Sequence, residues 1–408
     1  MQYRLAVIGM GNRAGKYLQW VTAHPETVRL AAVADPDPAR LSAAAAAYGL
    51  EESACYLSAD ELFSREREID AVIIATPDKT HYRYAMTAIS LGWHVLLEKP
   101  MAGSWEECQA IADAARKADV YVSVCFILRL YPYWQQFHAL MHEARFGKVL
   151  SVHHEVNAGV DRCVHTFVRG LWSREADSTP LILSKCCHDL DLLTYLCGSE
   201  PRKVASFGGL GWFRPENAPE GAAGRCVDCP LEPACAFSAV DLYQRRNKWN
   251  LYFDRKPGES LASAVERELR EGRYGRCAYH CDNDVVDHQT VLMEMEDGAT
   301  VSLRLNCLTR EDNRVTLVNA SGGEIRGDGK RIRVRYFDTG EEKVFDYSAD
   351  ADQPLHAGMD LEIVRDFFGH IASGGRDSLT AASRVLAGHR ACFEAEAFRN
   401  NTSRLISK

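Results

Sequence analysis

A glycine-rich turn near the start of the chain has the spacing that a bound pyrophosphate requires. Gly9 and Gly11 follow the apolar run 5–8, and Ala14 completes a G-x-G-x-x-A pattern ahead of a helix-compatible stretch. Gly9 permits a tight turn, Gly11 lacks the Cβ that would block a phosphate, and Ala14 allows the helix to pack against the strand. The N–H groups at the start of that helix would then face an anion. The pattern predicts a dinucleotide site that begins with Gly9, Gly11, Asn12, Arg13 and Ala14.

An acidic residue follows the next apolar run and indicates which dinucleotide binds. Asp35 comes directly after the run 29–34. A carboxylate there can accept hydrogen bonds from both ribose hydroxyls of an adenosine, and it would repel a 2′-phosphate. The sequence therefore favours NAD over NADP. Two alternatives stay open: Asp35 could be a turn residue before Pro36, and Arg40 could neutralise a 2′-phosphate.

Lys99 is the first candidate for catalysis, because it follows the predicted strand 94–97 by two residues and precedes a proline. A cation at a strand end can hydrogen-bond a substrate hydroxyl, lower its pKa and stabilise oxyanion character during hydride transfer. A solvated surface lysine is the alternative interpretation.

A second candidate group lies on the apolar segment 184–193. Lys185, His188 and Asp189 fall at i, i+3 and i+4 of the predicted helix, and therefore on one face of it. Such polar residues are costly on a buried helix unless they serve a site. We predict that Lys99, His188 and Lys185 are catalytic. A satisfied core histidine beside a surface ion pair is the alternative.

The candidate residues lie in two predicted domains. A length of 408 residues also indicates two domains, because it is long for a single hydrophobic core. Strand and helix patterns alternate across 1–124, with strands at 5–8, 29–34, 71–75, 94–97 and 120–124. This order predicts a Rossmann-type α/β domain with a doubly wound parallel sheet and ligands at the carboxyl ends of the strands. The loop 76–81 and the motif Glu98-Lys99-Pro100 both lie at those ends.

From 125 to 408 the pattern predicts a second α/β domain with an open, mostly antiparallel sheet. Its predicted strands are 149–156, 203–212, 285–295, 299–306, 314–319 and a pair around 331–346. A cysteine-rich insert occupies about 208–285, and two closing helices are expected at about 358–373 and 379–399.

Composition limits the possible partners and the compartment. The net charge of −8 gives no reason to propose nucleic acid, and no apolar run is long enough to cross a bilayer. An apolar strand so close to the first residue leaves no room for a signal peptide. We therefore expect a cytoplasmic protein without a nucleic-acid or membrane partner, whose fourteen cysteines are thiols or metal ligands.

Taken together, these motifs resemble the glucose–fructose oxidoreductase/inositol dehydrogenase (Gfo/Idh/MocA) family over nearly the whole chain. The resemblance rests on G-x-G-x-x-A, Ala75-Thr76-Pro77 with His81, Glu98-Lys99-Pro100 and a later His-Asp helix. It implies a Rossmann domain, an α/β domain with an open sheet, a nicotinamide cofactor and a small-molecule sugar or cyclitol substrate. We also expect a homo-oligomer, either a dimer or a tetramer. By this resemblance the cofactor site also includes Thr76, Pro77, His81, Glu98 and Lys99.

The chain departs from the family pattern at two positions. Many members carry an aspartate four residues before the histidine, where this chain has Ser184 next to Lys185. Members often have an asparagine where Ile127 stands, whereas Arg129 matches their motif arginine. The resemblance thus supports His188 as the base but not the usual aspartate, and Lys185 could orient a hydroxyl or bind an anionic substituent.

A polar and aromatic segment ahead of the catalytic helix has the mixture of side chains expected for gripping a sugar. Indole faces cover C–H groups, and guanidinium groups bind oxygens or an acid group. The predicted substrate-binding residues are Arg129, His165, Arg169, Trp172, Lys185 and Asp189. Together with Arg162, these cations could favour a sulfonate, carboxylate or phosphate on the substrate.

The insert contains a cysteine pattern that is typical of metal sites. Cys226, Cys229 and Cys235 lie close together among prolines, and Cys277 and Cys281 follow later. Thiolates two residues apart form the first half of many tetrahedral zinc sites. We predict a structural zinc ion held by Cys226, Cys229, Cys235 and Cys277, with Cys281 as the alternative fourth ligand. An iron–sulfur cluster or a thiol loop without metal remains open.

Three functions fit these residues. The first is an NAD-dependent oxidoreductase acting on a secondary hydroxyl of a sugar or glycoside, at ring carbon 3, with a substrate that could be anionic. The second is a redox-neutral, NAD-dependent glycoside hydrolase, since relatives of the family include enzymes that act on sulfoquinovosides. The third is a non-enzymatic NAD-sensing regulator, against which the acid–base residues argue.

Overall fold

The computed structural model describes residues 2–65, 68–256, 258–351 and 358–401, and begins with a parallel sheet. Its strands are β1 (Tyr3–Ile8), β2 (Val28–Ala34), β3 (Cys55–Tyr56), β4 (Ala71–Ile74), β5 (His94–Leu97) and β6 (Val122–Val124). Their order is β3-β2-β1-β4-β5-β6, and all neighbouring pairs are parallel. The predicted doubly wound sheet is confirmed. Strand β3 was missed because two residues are too few to form a pattern.

Helices cover both faces of this sheet. They are α1 (Asn12–Ala23), α2 (Pro38–Tyr48), α3 (Ala59–Ser64), α4 (His81–Ser90) and α5 (Trp105–Ala118). The strand order reverses between β1 and β4, which opens a crevice at the carboxyl ends of the strands. The loops that begin at Gly9, Ala75 and Glu98 therefore meet at one edge of the sheet.

The second sheet is mixed, with strands in the order β14-β13-β12-β11-β7-β10-β9-β8. These are β7 (Val149–Ala158), β8 (Pro201–Gly209), β9 (His288–Met295), β10 (Thr300–Asn306), β11 (Asp312–Ala320), β12 (Gly323–Gly327), β13 (Arg331–Tyr336) and β14 (Glu342–Asp346). Strands β7 and β10 pair in parallel, and the other recorded pairs are antiparallel. The open, mostly antiparallel sheet is thus confirmed. Strand β12 was missed because its glycines indicated only a turn.

One face of this second sheet is packed and the other is open. The remaining helices are α6 (Pro132–Met141), α7 (Val160–Cys163), α8 (Leu181–Ser184), α9 (Cys187–Cys197), α10 (Leu261–Arg270), α11 (Ser348–Ala351), α12 (Met359–Ser373) and α13 (Leu386–Asn401). Buried and partly exposed residues alternate along β7 and β13, as expected for a sheet with one covered face. On the open face Phe207 and Leu292 are exposed.

The closing helices connect the two domains. Helix α12 contributes Ile363, Val364 and Phe367 to the same apolar core as α1. The second closing helix begins at Leu386, later than the predicted residue 379. The reason is that Thr380 pairs with β6 instead: its carbonyl accepts from the Val124 N–H at 2.9 Å, and its hydroxyl lies 2.8 Å from that of Ser123.

The insert between β8 and β9 is held by turns rather than by a sheet. Its described residues, 210–256 and 258–287, form short 3₁₀ and π turns and helix α10, with a single bridge between Arg225 and Arg276 in place of any strand. Within the described residues of the whole chain, every helix is too short or too polar to cross a membrane.

Candidate active site

The glycine-rich turn after β1 has the geometry that a phosphate group needs. Gly9 has a φ of +88°, and a Cβ on it would approach the Ala75 carbonyl oxygen to 2.7 Å. A Cβ on Gly11 would meet no heavy atom of the described chain within 4 Å, so this position opens onto free space. No side chain in the described residues caps the start of α1, and its first turn carries no acidic residue. The N–H groups of α1 are thus available to an anion.

Asp35 lies directly beside this turn. Its side chain is 3% exposed. One carboxylate oxygen accepts from the Met10 N–H at 2.7 Å, and the other accepts from the Asp37 N–H at 2.9 Å. Arg40 lies 3.9 Å from the same carboxylate. The carboxylate is therefore fixed next to the phosphate turn, in the position that suits an adenosine ribose. The turn, the helix start and the carboxylate together fit a dinucleotide.

Arg13 and Glu98 bind each other in the structure. The Arg13 Nε donates to Glu98 Oε1 at 2.5 Å, and the Tyr17 hydroxyl donates to the same oxygen. Burial acts to raise the pKa of Glu98, but Arg13 and Lys99 outweigh it, so the pKa lies below its usual value. Arg13 also pairs with Asp360 of α12 at 2.7 Å. These side chains hold the end of β5 against α1 and the second domain.

His81 positions the two loops that flank the crevice. Its ring is fully buried, with Nδ1 at 2.7 Å from the Pro100 carbonyl and Nε2 at 2.9 Å from the Thr76 carbonyl. The Lys99–Pro100 peptide bond is cis. His81 was predicted in the cofactor site with Thr76 and Pro77, and the geometry gives it an indirect role there, because both ring nitrogens face the backbone.

Lys99 connects the Rossmann domain to the candidate catalytic segment. It is half-buried, and its Nζ donates to the Ser184 carbonyl at 2.8 Å. In a continuous helix that carbonyl would accept from the His188 N–H. The predicted helix over 184–193 is instead interrupted at Lys185 and Cys186, between α8 and α9. The expectation of one helix was wrong because a long-range bond takes the carbonyl.

Lys185 and His188 are the two partly exposed positions in the otherwise buried stretch 181–194. The His188 ring packs edge-on against Phe126, with ring centroids 5.3 Å apart. The Lys185 side chain is 18% exposed, and its Nζ lies 3.8 Å from an Asp312 carboxylate oxygen. Burial lowers the pKa of Lys185, and Asp312 only partly offsets this. Lys185 can therefore exchange a proton at a lower pH than an ordinary lysine.

Asp189 was predicted to bind substrate, and the structure places it elsewhere. Its carboxylate is fully buried and binds Arg314 of β11 and His154 of β7, the latter at 3.2 Å. Burial acts to raise the pKa of Asp189, but Arg314 and His154 hold it below its usual range. The side chain faces the second sheet, where it fixes α9 in place. The prediction of one shared face for Lys185, His188 and Asp189 was wrong, because the helix breaks before Cys187.

Two predicted substrate-binding arginines also have other partners. Arg129 forms a bidentate ion pair with Asp191 at 2.7 and 2.8 Å, and both side chains are buried. Arg169 is fully buried, and its guanidinium donates to the carbonyls of Arg276 and Phe237 in the insert at 2.8 and 2.7 Å. Because their guanidinium groups already bind other parts of the protein, only Lys185 and Arg162 remain of the cations that were predicted to favour an anionic sugar.

His165 and Trp172 differ in their surroundings. His165 stacks on Trp249 and Tyr274 of the insert, with centroids 4.9 and 4.8 Å apart, and burial lowers its pKa to about 4. Trp172 remains half-buried at the contact between the domains, where its Nε1 donates to Asp78 at 3.3 Å. The sequence analysis did not select Asp78, although an acidic residue in the loop 76–81, at the carboxyl ends of the strands, could have indicated it.

Four of the five cysteines of the insert line one cavity of about 650 Å³. Cys226, Cys229, Cys235 and Cys277 line it, together with Arg169. Cys281 does not line it, and its thiol donates to the Cys277 carbonyl at 3.3 Å. A zinc–sulfur bond of about 2.3 Å requires thiolates within about 4 Å of one another. Among the described residues, no group of three or more His, Cys, Asp or Glu side chains is placed to hold a metal ion. The predicted zinc site is therefore not supported.

Comparisons with known proteins agree with a Rossmann fold in the first part of the chain. Residues 3–126 match the model of the oxidoreductase family with an NAD-binding Rossmann fold. The chain is 24% identical over 335 residues to YteT of Bacillus subtilis, an oxidoreductase by name, across 78% of this chain and 72% of that protein. It is 29% identical to inositol 2-dehydrogenase 2 of Saccharopolyspora erythraea, across 49% of this chain and 55% of that protein. It is 28% identical to the 2,7-anhydro-N-acetylneuraminate hydratase of Mediterraneibacter gnavus, across 50% of this chain and 52% of that protein.

The overall fold is also similar to solved structures. An oxidoreductase from Agrobacterium radiobacter, solved with NAD⁺, L-tartaric acid and magnesium, superposes with a TM-score of 0.69 at 18% identity, covering 98% of this chain and 97% of that one. Residues 3–126 thus match the NAD-binding Rossmann fold of the Gfo/Idh/MocA oxidoreductases, and over longer stretches the chain is similar in sequence to a named oxidoreductase and to an inositol dehydrogenase.

Proposed function

We propose that the protein is an NAD-dependent oxidoreductase that acts on a secondary hydroxyl of a sugar or glycoside, at ring carbon 3. The observation that carries this proposal is the bond from Lys99 to the Ser184 carbonyl. It joins the lysine at the end of β5 to the break between α8 and α9, where Lys185 and His188 are the partly exposed side chains. In the proposed site, these acid–base groups from both domains serve one substrate crevice next to the phosphate turn.

Each of these side chains has a role that its surroundings support. Bound NAD would accept the hydride from the substrate carbon. The Lys99 ammonium, oriented by Ser184, polarises the hydroxyl and stabilises the oxyanion that develops on it. His188 takes the hydroxyl proton as general base. Lys185 lies at the same opening and orients a second hydroxyl.

NAD rather than NADP is the expected dinucleotide. The Asp35 carboxylate is held beside the glycine turn by the Met10 N–H, and it would repel a 2′-phosphate. Arg40 could offset that repulsion, but it lies 3.9 Å from Asp35 and 3.4 Å from Asp37, so two carboxylates already compete for its charge.

A redox-neutral glycoside hydrolase is the second candidate, and Lys185 favours it. In such a reaction the hydroxyl is oxidised transiently, the neighbouring C–H becomes acidic, the aglycone leaves by elimination, water adds and the carbonyl is reduced again. This sequence needs a second group that can take and return protons. Burial lowers the pKa of Lys185, which suits that task. One relative of the chain is named a hydratase of an anhydro sugar acid.

The two candidates differ in what they release. The protein is incubated with free sugars, cyclitols and aryl glycosides, with and without NAD, while NADH absorbance and released phenol are followed together. Stoichiometric NADH without phenol is the expected result. Phenol release that needs only catalytic NAD would replace the dehydrogenase with the hydrolase. The absence of both products across these substrates would refute both candidates.

Two finer features complete the proposal. A preference for an anionic sugar would rest on Lys185 and Arg162, and Arg162 already pairs with Asp312. We also expect a homo-oligomer in which a second copy covers the open face of the second sheet, where Phe207 and Leu292 are exposed. Light scattering coupled to gel filtration measures this directly, and a monomer at micromolar concentration would contradict it.

A further inference from the structure

We propose that Asp312 is a positioning residue of the candidate active site: its carboxylate joins Lys185 and Arg162 into one charged unit and favours the ammonium form of Lys185 before substrate binds. The proposal rests on the proposed function, in which Lys185 borders the substrate. One Asp312 oxygen lies 3.8 Å from the Lys185 Nζ, and the other accepts from the Arg162 Nε. Each oxygen of the carboxylate therefore faces a different cation.

The pairing of two strands brings Asp312 and Arg162 together. Asp312 begins β11 and lies opposite Ala158, the last residue of β7. Gly159 follows with a φ of +66°, and the chain turns directly into α7, which carries Arg162. A Cβ on Gly159 would approach the Asp312 Cβ to 3.2 Å, so a glycine at this turn leaves room for the aspartate side chain. The sheet backbone thus fixes the position of Asp312 relative to Arg162.

The alternation of side chains along β11 directs Asp312 towards Lys185. Residues two apart on a strand point to the same face of the sheet. Arg314 binds the buried Asp189 carboxylate of α9, which fixes that face of β11 against the candidate catalytic segment. Asp312 precedes Arg314 by two residues and therefore faces the same segment, where it meets Lys185.

The charge of Lys185 depends on groups from several elements. The charged side chains that act on its amine are Arg162 of α7, Asp189 of α9, and Asp312 and Arg314 of β11. Burial has the largest effect and lowers the pKa of Lys185; the two arginines lower it further, whereas the two carboxylates raise it, Asp312 more than Asp189. The adjacent Cys186 thiol stays neutral because burial raises its pKa. Loss of the Asp312 charge should therefore favour the neutral amine.

The test measures the protonation of Lys185 in the full chain, without NAD or sugar. Competitive labelling with acetic anhydride across neutral and alkaline pH, followed by mass spectrometry, compares Lys185 with the exposed Lys117 of the same sample. Asp312→Asn should move the Lys185 profile to lower pH, with at least about a threefold gain of labelling below the midpoint, because an opposite charge is lost. Asp312→Glu should restore the profile of the unaltered chain. Arg162→Gln should move the profile to higher pH, because it removes a cation.

Asp161→Asn is the matched control, because Asp161 forms another aspartate–lysine pair from α7, with Lys248 at 2.6 Å. It should leave the Lys185 profile unchanged. If Asp312 only supported the structure, its loss would expose Lys185 and move the profile to higher pH, since burial is the main cause of the lowered pKa. An unchanged or raised profile in Asp312→Asn would therefore overturn the proposal, as would an equal shift in Asp161→Asn.

Two further measurements keep the test decisive. Thermal midpoints and NAD affinity show whether each variant is folded, and if Asp312→Asn is not, a profile of Arg162→Gln that stays in place or moves to lower pH would refute the proposal. Labelling needs no turnover, so its outcome is independent of whether the sugar assays detect oxidoreductase activity. With a substrate from those assays, KM should begin to rise at a lower pH in Asp312→Asn than in the unaltered chain. The same pH dependence of KM in both proteins would exclude Asp312 from the site.

Discussion

Removing Lys99 tests whether the two domains share one catalytic centre. The Lys99 ammonium is held by the Ser184 carbonyl at 2.8 Å, at the start of the break that exposes Lys185 and His188. If Lys99 polarises the hydroxyl whose proton His188 takes, each alanine variant should lower the rate of nicotinamide reduction at least about a hundredfold. This corresponds to about 2.7 kcal/mol of activation free energy per residue. If the two residues acted independently, the double variant would be slower by about ten-thousandfold. If they act as a unit, the double variant should lose far less rate than that.

The assay is a single turnover of NAD reduction with saturating sugar, which isolates chemistry from product release. Lys79→Ala is the matched control, since Lys79 is an exposed lysine of the neighbouring loop that also bonds to the second domain, at the Ala176 carbonyl. It should keep nearly the full rate. NAD affinity and the thermal midpoint should change little in Lys99→Ala. A His188→Ala protein that reduces NAD at the unaltered rate would refute the assignment and move the base to Lys185.

Three further predictions follow from buried polar groups. Asp35→Ala should weaken NAD binding and relax discrimination against NADP by about 1 kcal/mol or more, and unchanged affinities in calorimetry would contradict the cofactor position. Arg129→Ala leaves the Asp191 carboxylate buried without its partner and should lower the free energy of unfolding by about 3–5 kcal/mol. Arg145→Ala, at an ion pair on the surface, should lower it much less in the same denaturation experiment. Burial lowers the pKa of His389 to about 4, below its unfolded value, so the stability it contributes is complete above about pH 6.5 and is lost as the pH falls towards 4. The titration of His389 should therefore make the free energy of unfolding about 2 kcal/mol lower at pH 5 than at pH 7. In His389→Gln this part of the pH dependence should be absent.

The sequence predicted the features that are set by residues close together in the chain. The glycine turn, Asp35 and Lys99 each follow a strand, and parallel strands bring their carboxyl ends to one edge without further information. The apolar runs were long enough to locate five of the six strands of the first sheet. Local patterns thus placed the phosphate turn and the lysine correctly relative to the sheet.

The errors concern side chains whose partners are distant in sequence. Arg129 pairs with Asp191, and Asp189 pairs with Arg314. In each case an apparently available charge is neutralised by a residue that only the fold brings near. The helix break has the same cause, since the Ser184 carbonyl is taken by Lys99. Residue types therefore identified groups capable of chemistry, but the tertiary contacts decided which of them remain available to a substrate.

The replacement of the family's usual aspartate gives Lys185 its significance. Ser184 is buried, and its backbone carbonyl, which any residue at this position would present, accepts from the candidate catalytic lysine Lys99. The polar group at the opening is then Lys185, an amine whose pKa is lowered by burial. Like a carboxylate in a relay, an amine with a lowered pKa can take a proton and return it. If the enzyme only oxidises a hydroxyl, Lys185→Met should mainly weaken substrate binding. If it eliminates an aglycone, the same change should abolish phenol release while single-turnover oxidation persists. The contrast between these two readouts assigns Lys185 to orientation or to proton transfer.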